Sequence, residues 1–155
     1  MEFVQDFVEN INPEVAAIVA WIFAIILASA IYRRAMGKSI RPTVPSNNRF
    51  AETSASGRSL RNLITRLGGA RNCLIVAVTP TSLEVHPQFP FTLMFLPEIY
   101  GLDWDIPLSK IRAVRTEKGL FGDRELVEFV TDDGRTEQFE LRLRKAPEFR
   151  TAMAK

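Results

Sequence analysis

The sequence predicts a membrane-anchored, mainly-β protein: one transmembrane helix near the N-terminus, then short antiparallel strands closed by a terminal helix. Three observations predict it. The run Val15 to Tyr32 (VAAIVAWIFAIILASAIY) carries no charged residue. From Asn72 onward, short runs of alternating polar and apolar residues are separated by turn residues. Two of these runs flank Asp132-Asp133-Gly134-Arg135, and an Asp-Gly step between alternating runs is a strong hairpin signal.

As a helix, Val15 to Tyr32 covers roughly 27 Å, close to the ~30 Å hydrocarbon thickness of a bilayer. Its Val, Ile, Leu and Phe residues together favour insertion by roughly 3–5 kcal/mol. Asn12-Pro13-Glu14 supplies an N-cap, a proline at the first helical position and an acid in the first turn. The helical segment is therefore set at residues 13–36. A domain this small could hardly cover such a helix on all sides, which argues against a buried core helix. Ala28-Ser29-Ala30 resembles a signal-peptidase site, but signal peptides need a basic leading region and a shorter apolar core. Here the leading region is acidic, so an uncleaved anchor is expected. Within the span, Ala16, Ala20, Ala24 and Ala28 fall at four-residue intervals. Such a small-residue stripe lets two helix backbones approach closely in lipid, so pairing with itself or with another membrane protein is expected.

Charge is segregated along the chain. Residues 1–32 hold Glu2, Asp6, Glu9 and Glu14 and no Lys or Arg. Residues 33–71 hold Arg33, Arg34, Lys38, Arg41, Arg49, Arg58, Arg61, Arg66 and Arg71 against the single acid Glu52. The positive-inside rule then places the C-terminal side in the cytoplasm and the N-terminus outside. Arg33, Arg34, Lys38 and Arg41 are placed against the anionic inner leaflet. In residues 1–12, Phe3, Val4, Phe7, Val8 and Ile11 recur at helical spacing between acids. That fits either a short amphipathic helix on the outer surface or a frayed terminus. Only Phe50 interleaves with the arginines, so nucleic acid is not an expected partner.

Residues 37–70 read as a basic flexible linker, mobile over 37–58, with a short helix near 59–67. In that helix, Leu60, Leu63, Ile64 and Leu67 share one face, ended by Gly68-Gly69. Residues 71–155 read as strands. Cys73 to Val78 meets Leu83-Glu84-Val85 across Thr79-Pro80-Thr81; Leu102 to Ile106 alternates; Pro107 leads to a strand through Arg115. Glu125 to Thr131 and Thr136 to Leu143 form the Asp-Gly hairpin, and Pro147 opens a helix to Ala154 with Phe149 and Met153 on one face.

The runs LIVAVTPTSLEV, DIPLSKIRAV, VEFVTDDGRTEQFELRL and APEFRTAM together resemble a bacterial pleckstrin-homology-like (PH-like or GRAM-like) domain over about residues 71–154. The resemblance implies a barrel of two packed antiparallel sheets whose open end is closed by the terminal helix. It also implies a scaffold or accessory factor at the bacterial cytoplasmic membrane. Phosphoinositide binding is not carried over. The first hairpin turn, Thr79-Pro80-Thr81, lacks the Lys and Arg such binding uses.

The stretch from Gln88 to Gly101 stands out as a long apolar insertion. Phe89, Phe91, Met94 and Leu96 are expected to form a patch for a partner or lipid, with Leu120 and Phe121 of a second loop tip. Leu93, Phe95 and Tyr100 fit a core position better. For chemistry, the sequence holds no nucleophile elbow, zincin helix, phosphate loop or dinucleotide fingerprint. Asp103 and Asp105 share a strand face and are read as solvent-facing. His86 reads as an exposed or satisfied side chain, and Cys73, the single cysteine, as core packing. No catalytic residue, metal ligand or cofactor is expected. The expected role is binding: an accessory subunit of a membrane complex, or alternatively lipid-surface sensing by the basic tether and loop 89–97.

Overall fold

The structure, a computed structural model, describes residues 12–94, 99–119 and 122–154. The amphipathic segment expected at 1–12 therefore lies, except for Asn12, outside the described residues. The chain divides into two compact units, Met1–Ile40 and Arg41–Lys155.

The first unit contains helix α1 (Pro13–Ala35). Its start follows the expected capping chemistry: the Asn12 side chain accepts from the Glu14 N–H at 2.9 Å, and Pro13 opens the first turn. Its end is a Schellman motif. Gly37 adopts φ +69° and donates to the Arg34 carbonyl, while the Lys38 N–H reaches back to the Arg33 carbonyl at 2.8 Å. Glycine takes this left-handed geometry without a Cβ clash, and the last carbonyls of the helix are satisfied.

The second unit is a seven-stranded antiparallel sheet with two short helices. Its elements are β1 (Phe50–Ser59), α2 (Leu63–Leu67), β2 (Ala70–Val78), β3 (Ser82–Pro87), β4 (Trp104–Pro107), β5 (Ile111–Glu117), β6 (Arg124–Val130), β7 (Thr136–Arg142) and α3 (Ala146–Met153). The strand order is β4-β3-β2-β1-β7-β6-β5. Where two separate sheets were expected, hydrogen bonds join all seven strands into one.

That sheet cannot be flat. Five strand steps separate β4 from β6 in this order, about 24 Å at the usual ~4.8 Å spacing. Yet the rings of Trp104 on β4 and Phe129 on β6 lie 5.0 Å apart, edge to face. The sheet therefore curls until its two ends face each other across a shared core. That core takes Val76 and Val78 from β2, Leu83 and Val85 from β3, Val127 from β6, and Phe139 and Leu141 from β7. The bend passes through β1, whose pairing with β2 slips between Glu52 and Ala55 and again before Gly57. Bulges bend and twist a strand in this way. Helix α3 closes one opening: Phe149 is fully buried and meets Phe50 edge to face at 5.5 Å, and Met153 packs at the core margin.

β1 corrects one expectation. Residues 50–58 fall within the stretch read as a mobile tether and Ser59 opens the expected short helix, but together they form the strand that joins the two halves of the sheet, pairing with β2 on one side and β7 on the other. The physical reason is the pairing on both edges, to which Glu52, the lone acid of the basic stretch, adds a tie to the far end of the chain. Glu52 is buried and accepts the backbone N–H groups of Arg144 and Lys145, each at 2.9 Å. Those two donors lead into α3, whose N-cap Lys145 makes no side-chain capping bond, so Glu52 satisfies backbone groups that the helix itself would leave without partners. The expected helix over 59–67 is also shorter, because Ser59 ends β1 and the Leu60 N–H donates to the Gln138 carbonyl.

Candidate functional site

In the first unit, the small-residue stripe Ala16, Ala20, Ala24 and Ala28 is exposed, as are Val15, Ile18, Trp21, Phe23, Leu27 and Ile31 around it. The buried residues of α1 are Ser29 and Arg33. Of the basic group after the span, Arg34 is exposed and Lys38 half-buried. Arg33 is buried, and its guanidinium donates from two nitrogens to the Ser39 carbonyl, at 2.9 and 3.2 Å. Arg41 belongs to the second unit, where its guanidinium lies 4.7 Å over the ring of Phe89, a cation–π arrangement.

The second unit gathers its exposed apolar side chains at one end of the sheet. The β1–β2 connection and the β3–β4 connection lie there together, because Gly57 pairs with Ala70 and Leu74 with Pro87. Phe89, Phe91, Met94 and Ile99 are exposed on the β3–β4 side. The expected patch residue Leu96 lies outside the described residues, as do Leu120 and Phe121. Among the residues expected in the core, Tyr100 packs against it and Leu93 is half-buried, while Phe95 lies outside the described residues.

On the β1–β2 side stands α2, built the reverse way from an ordinary surface helix. Asn62 and Thr65 form a capping box, with the Thr65 N–H donating to Asn62 Oδ1 at 2.9 Å and the Asn62 N–H to Thr65 Oγ1 at 3.0 Å. Thr65 is buried. Behind the helix, the Tyr100 ring lies so close to Gly68 that a Cβ there would fall inside it. The helix is thus seated by polar and small residues, while Leu63, Ile64 and Leu67 point outward at 73, 63 and 83% exposure. The sequence marks these three as one face but gives no sign that the face is the outer one.

Elsewhere, several buried or half-buried polar groups are paired in ways that serve the fold. His86 Nδ1 donates to Asp103 Oδ1 at 2.7 Å, with Glu84 at 3.7 Å on the other ring nitrogen. Asp103 is mostly shielded and Asp105 is exposed, so the expectation that both are solvent-facing holds only for Asp105. Buried Glu125 accepts from Thr116 Oγ1 at 3.1 Å and from Arg150 of α3 at 2.7 Å. Buried Glu140 accepts two bonds from Arg58, at 2.9 and 2.6 Å. These carboxylates escape sequence reasoning, because an acid in an alternating strand normally marks the solvent side. At the β6–β7 turn, Arg135 and Thr131 hold the Asp133 carboxyl far below the usual carboxylate range. Burial pushes the Cys73 thiol up, which makes it a poor nucleophile. Among the described residues, no cluster of three or more His, Cys, Asp or Glu side chains is placed to hold a metal ion.

The arrangement therefore offers two surfaces: an unburied apolar helix in one unit, and an apolar end with exposed arginines in the other. No known protein family matches the chain, and no curated protein matches it either.

Proposed function

We propose that this chain is a non-enzymatic, single-pass membrane protein that serves as an accessory or scaffold subunit of a membrane complex. Its N-terminus lies outside, and its β unit lies in the cytoplasm of a bacterial cell. The observation that carries the reading is the state of α1: of its residues only Ser29 and Arg33 are buried, and its large apolar side chains are left uncovered. Leaving its nine large exposed side chains from Val15 to Ile31 in water costs on the order of 10 kcal/mol. A bilayer removes that cost. The exposed Ala16-Ala20-Ala24-Ala28 stripe favours a helix partner within the membrane, either a second copy or a larger membrane protein. Arg34 and Lys38 after the span support the orientation.

The β unit is read as PH-like. The curled sheet with two facing halves and α3 over one opening supports that reading, as do the runs that carry the resemblance. A binding module presented at the cytoplasmic face suits a scaffold.

Affinity purification of the full-length protein in mild detergent tests the proposal. A stable companion, or a second copy, is expected, and Ala20→Leu with Ala24→Leu is expected to weaken its recovery. Recovery of neither would overturn the scaffold reading.

A further inference from the structure

We infer that the end of the β unit bearing α2 seats on the anionic lipid surface, with Leu63, Ile64 and Leu67 entering the interfacial region of the bilayer. The inference rests on the anchored reading of α1 and names lipid, and no protein, as the occupant of this face.

The build of α2 is the first argument. An amphipathic surface helix normally turns its apolar side chains inward. Here the capping box, buried Thr65 and the Tyr100 ring against Gly68 fix the helix with its aliphatic residues outward. Three neighbouring aliphatic side chains held out by a seated scaffold form a surface that an apolar phase would cover. Phe89, Phe91 and Met94 widen it at the same end of the sheet.

Charge selects the phase. No Asp or Glu occurs from Thr53 to Leu83, while Arg58, Arg61, Arg66 and Arg71 do. Arg58 and Arg61 are engaged by Glu140 and Glu137, at 2.6 and 3.2 Å, while Arg66, within α2, and Arg71, four residues after Leu67, stand exposed. An apolar face rimmed by arginine complements an anionic headgroup layer over hydrocarbon. The covalent chain supplies the third argument. Only residues 36–40 separate the end of α1 from Arg41, which stacks on Phe89, and so short a connection reaches at most roughly 20 Å. An anchored chain thus keeps lipid within reach of this end.

The test uses full-length protein in a Cys73→Ala background, reconstituted into vesicles of phosphatidylcholine with or without phosphatidylglycerol. An environment-sensitive fluorophore is placed by Ile64→Cys, by Thr81→Cys at the opposite end of the β2–β3 hairpin, and by Phe23→Cys in α1. Shallow doxyl-labelled lipid is expected to quench the label at 64, more strongly with phosphatidylglycerol present, and to spare the label at 81. Arg66→Gln with Arg71→Gln is expected to lower the ratio of seated to free label about fivefold for each charge removed. A water-like, unquenched label at 64 in both vesicle types would overturn the inference while leaving the anchor intact. A label at 64 that responds to protein density and not to lipid composition would overturn it too, in favour of a second copy covering the face. A label at 23 beyond the reach of deep doxyl lipid would remove the anchored reading itself.

Discussion

Helix α1 and strand β2 are two of the most apolar stretches of the chain, and the fold treats them in opposite ways. From Cys73 to Val78 every residue of β2 is buried, because β1 and β3 pair along its edges and the curled sheet supplies a core. From Val15 to Ile31, α1 leaves most of its large side chains exposed. Apolar content alone therefore does not decide burial; what matters is whether the chain itself provides something to pack against. Where it does not, the environment must. The small helix α2 belongs with α1 in this respect, although it is built into the β unit.

The comparison breaks most easily in the core. Phe139→Ala removes a fully enclosed ring and is expected to destabilise the β unit by about 3–5 kcal/mol. Urea unfolding of the full-length protein in detergent, followed by Trp104 fluorescence in a Trp21→Phe background, measures this. Helical content from α1 is expected to persist through that transition.

Glu52→Ala, in the stretch that reads as a tether, is expected to cost about 2–3 kcal/mol in the same assay. It strands two backbone donors at the start of α3. Substituting Ser46 or Asn47, which precede β1, is expected to change stability by less than about 0.5 kcal/mol. Equal effects at the two sites would mean that β1 contributes nothing to the fold.

Gly68→Ala sharpens the account of α2. Its φ of −89° suits alanine, so the penalty comes only from the Tyr100 ring and is expected to be about 1–3 kcal/mol. Leu63→Ala and Leu67→Ala are expected to leave stability within about 0.5 kcal/mol, since both side chains already lie outside. A loss of about 2 kcal/mol or more at Leu67 would place that face inside the fold.

The smallest effect is a pH dependence at Cys73. Its thiol is raised by burial, so the associated stability is present below the ordinary thiol range, near pH ~8.5, and is lost as pH rises through the higher folded value. Alkylation at pH 8 is expected to be slow in the folded protein and to accelerate on unfolding in urea. Equal rates in both states would contradict the buried placement.

Much of the fold was legible in the residues. The Asp-Gly hairpin, the alternation in β6 and β7, the apolar run of β2 and the proline-opened terminal helix each carry a local signal that tertiary packing did not override. β1 was not legible. FAETSASGRS has no alternating apolar set, and its place in the sheet is decided by β2 and β7 on its two edges. The single acid amid arginines was visible in the sequence, but its partners are backbone N–H groups some ninety residues away. The candidate surface was half legible. Spacing marks Leu63, Ile64 and Leu67 as one face, but only the Thr65 cap and the Tyr100 ring determine which way that face points. Phe89 and Phe91 are exposed; the sequence left that stretch open between surface and core, and its one physical hint was Pro90, which removes a ladder donor between them.

On the function proposed above, α1 lies in a bilayer and holds the β unit at its cytoplasmic face. Alkaline carbonate extraction of membranes carrying the full-length protein, combined with protease treatment of inside-out and right-side-out vesicles, tests it most directly. The intact chain is expected to stay with the membrane, and the β unit to be digested only in inside-out vesicles. Release of the chain into the carbonate supernatant, or digestion of the β unit in right-side-out vesicles, would contradict it.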